Sequence, residues 1–200
     1  IWIAQAEGRA KDGDDRTDSA ILKMFHMSRK DEPFGETIKA LNLTPVSISY
    51  EYDPCDQAKA RELYIRATKG AYNKAPGEDD VSIAQGITGY KGRVHINFAP
   101  PITELFEDTK QLATEIDRQI LGGYRLFPVH YLAYAQWADA DPELQVPAAA
   151  DVFPAAELEK ARAEWLRRLR ECPVEQRPFL VLQYATPVRN QYRVKAGLPL

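Results

Sequence analysis

The chain has 200 residues, is 44% hydrophobic and 28% charged, and carries a net charge of -3. That balance belongs to a globular chain able to bury a core, one ordinary domain with room for a small helical extension. No run or face is strongly basic, so nucleic acid is excluded as the expected partner, and no apolar stretch reaches the ~18 residues of a membrane span.

The first residues, IWIAQ, are a short apolar run that reads as a buried strand. EGRAKDGDD follows and is turn chemistry, with two glycines among its aspartates. Thr17 or Asp18 then caps a helix that places Ala20, Ile21, Met24 and Phe25 at helical spacing and ends before Pro33. A second short helix is expected from Phe34 to Leu41. In LTPVSISYEY, Val46, Ile48 and Tyr50 alternate with Ser47, Ser49 and Glu51, the pattern of a strand with its apolar side on the core. Asp56 opens a longer helix whose apolar stripe is Ala60, Leu63, Tyr64, Ala67 and Ala71. NKAPGEDD is a loop, VSIAQGITG a glycine-weakened helix, and GRVHINFAPPI a third strand with Val94, Ile96 and Phe98 on one face.

Leu112, Ile116 and Ile120 mark an amphipathic helix over Thr109–Leu121, and a further helix is expected over Val129–Ala138. Residues 139–154, rich in Pro, Ala and Asp, read as a linker. Leu158, Ala161, Trp165, Leu166 and Leu169 mark a helix beyond it, and RPFLVLQYATPVRNQ reads either as a helix kinked at Pro187 or as a short strand and turn. Strands alternating with helices predict an α/β fold, a mixed sheet flanked by helices, with a C-terminal helical extension over residues 155–200.

Cys55 and Cys172 have no metal spacing, and a reduced, cytosolic setting is their default. No His/Cys/Asp/Glu set has the spacing of a metal site, and no Ser/His/Asp or Cys/His nucleophile pattern stands out. His26 and Asp31 spell a His-x4-Asp pair, but five residues of continuous helix turn the two side chains about 140° apart. His95 lies on the strand face opposite Val94 and Ile96, solvent-facing or hydrogen-bonded within the sheet; His130, in a Tyr-rich helix, reads as a packing residue. The most suggestive stretch is the first turn. A strand delivers its carboxyl end to a glycine-bearing loop before a helix, the place where α/β sheets bind ligands. Arg9 offers a planar fork of donors, Lys11 a mobile ammonium and the turn its free N–H groups, which together suit a phosphate. A charged surface turn with a local Glu7–Arg9 pair has the same spelling. The helix around Trp165 carries Arg162, Arg167, Arg168 and Arg170, which suit an anionic lipid surface, but its glutamates nearly cancel them, favouring a solvated face packed on the core.

AEGRAKDG after an apolar strand, then TPVSISYEYDP, then GRVHINFAPPI, resemble in that order the later blocks of the glycerolipid acyltransferases. The resemblance covers about residues 1–135 and implies that residues 1–138 are the C-terminal part of an acyltransferase domain. It departs at Ala6, where the family has Pro, Arg or Val, and at Ala99, where glycine is common. It implies that Glu7, Gly8 and Arg9 recognise the acceptor's phosphate, with Lys11 added on charge alone, and that Pro45 is structural. The implied reaction moves a fatty acyl group from acyl-CoA or acyl carrier protein to a hydroxyl of glycerol 3-phosphate or 1-acylglycerol 3-phosphate. No metal or cofactor is implied, and the setting is a lipid surface at the cytoplasmic face of a membrane. The family's catalytic His-x4-Asp precedes the Glu-Gly block. His26 and Asp31 follow it and are therefore a coincidence, so no catalytic residue is assigned within the chain. A chain opening on Ile, without a signal peptide, is expected to be a fragment or a processed product. The alternative is a non-catalytic lipid- or phosphate-binding module of the same fold.

Overall fold

The computed structural model describes residues 1–8, 10–137 and 139–200. The described residues form nine α-helices and a small sheet: α1 (Ser19–Met27), α2 (Phe34–Leu41), β1 (Val46–Tyr50), α3 (Asp56–Lys69), α4 (Glu78–Thr88), β2 (Val94–Phe98), α5 (Thr109–Gly122), α6 (Pro128–Tyr134), α7 (Ala149–Val152), α8 (Ala155–Glu171) and α9 (Arg177–Lys195). β1 and β2 pair antiparallel, with Ile48 opposite Ile96. The fold thus mixes helices with a sheet, as predicted, but the sheet has two strands and one direction of pairing rather than a mixed arrangement.

Local chemistry sets the helix starts. Asp18 caps α1 by accepting from Ala20 N at 2.8 Å, and Asp108 caps α5 by accepting from Lys110 and Gln111 N–H groups at 2.8 and 2.9 Å. Leu112, Ile116 and Ile120 of α5 are buried as their spacing requires, against Leu22, Ile38 and Ile102. A second cluster joins Trp165 of α8, Leu180 and Tyr184 of α9, Val129 of α6 and Ala60 of α3. The helix predicted over Val129–Ala138 is observed as Pro128–Tyr134, and Ala138 lies outside the described residues. On α3 the predicted stripe is half right. Ala60 is buried, but Ala67 and Ala71 are exposed and Glu62 is buried instead, because Lys11 and Arg66 neutralise it.

The C-terminal stretch is one helix, α9, with Pro187 inside it. It packs against α3, α5 and α6, so it is surrounded rather than laid on a surface. Its buried residues include Gln183, Thr186, Asn190 and Gln191, which makes its apolar side indistinct in sequence. Those polar groups are anchored: Gln191 Nε2 donates to Tyr124 O at 2.5 Å and Gln183 Nε2 to Asp56 O at 3.1 Å. The stretch 139–154, read as a linker, packs Val146 and Phe153 beside Leu126, Tyr131 and Val188, and Arg193 Nη1 donates to Asp141 at 2.8 Å.

Two strand expectations are corrected. Ile1–Gln5 is not a strand: Ile1, Trp2 and Ile3 are exposed and pair with no sheet edge. The sheet is also turned over. Ser47 and Ser49 are buried, whereas Ile48, Tyr50, Val94, Ile96 and Phe98 are exposed. The serine face is held down because Ser49 Oγ accepts from Arg125 N at 2.9 Å. The Arg93 guanidinium grips Glu51 through two nitrogens at 3.0 Å each and reaches Glu157 of α8 at 2.9 Å, fixing the same orientation.

Candidate functional site

The turn after Gln5 is exposed at Glu7 and Gly8, and Gly8 has φ +79° with open space around its Cα. Arg9 lies outside the described residues. Glu7 and Gly8 border a shallow hollow of 350 Å³ together with Asp14, Asp15 and Arg16. Lys11 does not join them there. Its ammonium lies 3.2 Å from the buried carboxylate of Glu62, and it borders a second cavity. Ala10 borders both. Among the described residues, Glu7 and Gly8 therefore border a different hollow from Lys11, which is already paired, so that a phosphate would have to share it.

What fixes this turn is the set of aspartates that look in sequence like plain loop chemistry. Asp14 accepts from the fully buried Asn190 of α9 at 2.6 Å and from Arg16 Nε at 2.8 Å. Asp15 accepts from Tyr124 Oη at 2.7 Å. Thr17 donates its N–H and its hydroxyl to Asp117 of α5, at 2.8 and 2.6 Å. Burial pushes the Asp117 carboxyl above its usual range, opposed by those two bonds. Gly13 is the required glycine of the turn. It has φ +79°, and a Cβ there would run into the carbonyl of Gln183 and lie 3.1 Å from Pro187 Cδ. Proline has no N–H, so Pro187 leaves the Gln183 carbonyl without its ladder donor, and the turn packs into that notch of α9.

The second cavity measures 460 Å³, within the range of small-molecule sites. Ala10, Lys11 and Gly13 from the first turn and Ile48, Ser49 and Tyr50 from β1 share its wall. Ile83 and Ile87 of α4 form an apolar flank, and both are exposed. Its cations are Lys11, Lys59 and Arg125. Lys59 is held by Asp53 at 2.6 Å, while Arg125 has no hydrogen-bond or ion-pair partner for its guanidinium among the described residues. His130 lies on the same wall and is buried. Its Nδ1 accepts from Phe127 N at 2.8 Å, which puts the proton of the neutral ring on Nε2. Burial lowers its pKa to about 4. Gln183 borders the cavity as well, and its buried Oε1 has no donor.

Among the described residues no histidine has a carboxylate partner. His26 Nε2 lies 2.9 Å from the backbone oxygen of Glu32, and its ring meets Phe34 edge-on; it makes no bond to Asp31 among the described residues. His95 is exposed, opposite Ser49. No group of three or more His, Cys, Asp or Glu is arranged to hold a metal among the described residues, and no described helix is long and apolar enough to cross a membrane.

Sequence reading missed a buried polar cluster that ties α3 to α8 and α9. Arg168 of α8 sits 2.5 Å from Asp56 of α3, both buried, and also donates to Asp53 O at 3.0 Å. Tyr184 Oη donates to Asp56 at 2.8 Å and accepts from Asp53 N at 2.9 Å. Burial raises the Asp56 carboxyl, and Arg168 and Tyr184 pull it back down. No local signal announces this contact, because its partners are 112 residues apart. It also decides the reading of α8: Leu158, Ala161, Trp165 and Arg168 face the core, and Arg167 is neutralised by Glu164 and Glu171 at 2.7 and 2.6 Å. Comparison of the chain with protein-family models, curated proteins and solved structures finds no match.

Proposed function

We propose that the chain belongs to an acyltransferase that moves a fatty acyl group from acyl-CoA or acyl carrier protein to a hydroxyl of glycerol 3-phosphate or 1-acylglycerol 3-phosphate, and that it supplies the phosphate-holding half of the site. The observation that carries this reading is the convergence of three separated sequence blocks. The turn that follows Glu7-Gly8-Arg9 and the strand of TPVSISY border one cavity, and the strand of GRVHINF pairs with the latter. A rigid turn carrying donors, pinned to α5 and α9, is suited to holding a phosphate while its neighbouring hydroxyl reacts. The proton acceptor for that hydroxyl comes from outside this chain. The mixed sheet belongs to the same proposal. Further strands beside β1 and β2, and a layer over their apolar face, complete the domain at the membrane's cytoplasmic face.

The test is acyl transfer by the full-length protein, with Arg9→Ala beside it. The acceptor KM should rise strongly while the donor KM stays put; an unchanged acceptor KM removes Arg9 from the site. One observation favours a second reading, a phosphate- or lipid-binding module without turnover: among the described residues every histidine lacks a carboxylate partner. Acceptor binding without any transfer in the full-length protein would select it.

A further inference from the structure

We infer that the 460 Å³ cavity is a site for an anionic amphiphile, a phosphomonoester bearing one apolar chain, with Arg125 on the head group. This rests on the phosphate reading above for the chemistry of the head group, and goes beyond it in assigning Arg125, His130, Ile83 and Ile87. Three features point the same way. Among the described residues, the exposed Arg125 is the unpaired cation on the cavity wall, whereas Lys11 and Lys59 are already matched by Glu62 and Asp53. A guanidinium presents a fork of donors that fits phosphate oxygens in pairs. His130 brings a second donor that the protein leaves unused. Nδ1 is occupied by Phe127 N, so the Nε2–H of this buried ring has no acceptor among the described residues. A ligand oxygen in the cavity would satisfy it. Beside these polar groups, Ile83 and Ile87 extend the wall with side chains that the fold does not cover, 55% and 73% exposed. A short α4 with no buried residue contributes nothing to the core, so its apolar side is available to a chain that leaves the cavity.

The geometry divides the ligand between two ends. Beside the first turn, a phosphate alone uses Arg125 and the shared lysines. A phosphate with an adjacent ester or hydroxyl oxygen also takes the His130 proton. A fatty chain adds the isoleucine flank. The acylated acceptor therefore fits the cavity better than glycerol 3-phosphate does.

Calorimetric titration of the 200-residue chain tests this with three probes: 1-oleoylglycerol 3-phosphate below its micelle concentration, glycerol 3-phosphate, and 1-oleoyl lysophosphatidylcholine. The first should bind at least about tenfold tighter than the second, the effect of roughly two buried methylenes. Ile83→Ser with Ile87→Ser, both at exposed positions, should close that gap and leave glycerol 3-phosphate binding unchanged. Arg125→Gln should weaken both phosphomonoesters by about tenfold, in keeping with a charge-assisted contact. His130→Phe should weaken them several-fold. Equal affinity of the first two probes, or of the first and third, overturns the amphiphile site, as do Arg125 and isoleucine variants that bind like wild type. In those cases the phosphate turn still stands if Arg9→Ala abolishes glycerol 3-phosphate binding. If no phosphomonoester binds at all, both readings fall.

Discussion

His130 should give the protein a pH dependence that a single substitution removes. The ring is buried between Phe127 and Tyr184, with centroids 5.9 Å from each, and it faces no carboxylate at hydrogen-bonding distance. Burial lowers its pKa from 6.5 to about 4. An unfolded chain takes up the proton as pH drops through 6.5; the folded protein refuses it until about pH 4. Stability is therefore complete above pH 6.5, falls as pH is lowered through the window, and levels off below pH 4. At about 1.4 kcal/mol per pH unit, the full loss is roughly 3 kcal/mol. Urea denaturation of wild type and His130→Phe, run every half unit from pH 7.5 to 4, measures it. The carboxylates titrate in both proteins, so the difference curve isolates the histidine. His130→Phe should start less stable at pH 7.5, having lost the acceptor for Phe127 N–H, and should then lose less on acidification. Parallel curves across the window would show that the ring is charged in the folded state and refute the buried, neutral assignment.

Gly13→Ala should destabilise by more than the ~1–2 kcal/mol of a left-handed residue alone, because the added methyl also meets the Gln183 carbonyl; an unchanged urea midpoint would mean that the turn does not enter the Pro187 notch. Arg168→Met should cost about 3–5 kcal/mol by leaving Asp56 buried and unpaired, and adding Asp56→Leu should recover much of it. A double variant as unstable as the sum of the singles would deny the pair its coupling. Removing residues 155–200 should leave no cooperatively folded remnant, since Trp165, Leu180 and Tyr184 belong to the core shared with α3 and α6; a sharp thermal transition in residues 1–154 would show the reverse.

The helices were legible where their chemistry is local. Asp18 and Asp108 cap within two or three residues of themselves, and Leu112, Ile116 and Ile120 need only one neighbouring surface. α9 was legible only as one of two alternatives, because it is packed on several sides and its polar side chains bond to Asp14, Asp56 and Tyr124 rather than to water. The same holds for the site. Glu7, Gly8 and Arg9 stood out as a short motif, but among the described residues the cavity nearby owes its unpaired cation to Arg125 and an unpartnered ring N–H to His130. Their role depends on contacts with Phe127, Ser49 and α9 that no spacing encodes. Lys11 looked free in sequence, yet Glu62 claims it.

The inverted sheet joins these observations. Alternation in both strands specifies an apolar side and a polar side, and it is ordinarily the apolar side that meets the core. Here Ser47 and Ser49 are buried, while Ile48, Tyr50, Val94, Ile96 and Phe98 are exposed. Neither strand is mispaired: the apolar residues lie opposite one another in register, Ile48 with Ile96 and Tyr50 with Val94. The pattern is thus self-consistent, and among the described residues nothing covers its apolar side. Exposed apolar surface of this kind marks a place of contact rather than of solvent. One end of it, Ile48 and Tyr50, borders the cavity that Arg125 and His130 furnish with polar groups. A surface meant only for another protein layer has no need of an unpaired guanidinium and an unused ring N–H at its edge. The anionic, chain-bearing ligand proposed above would use both.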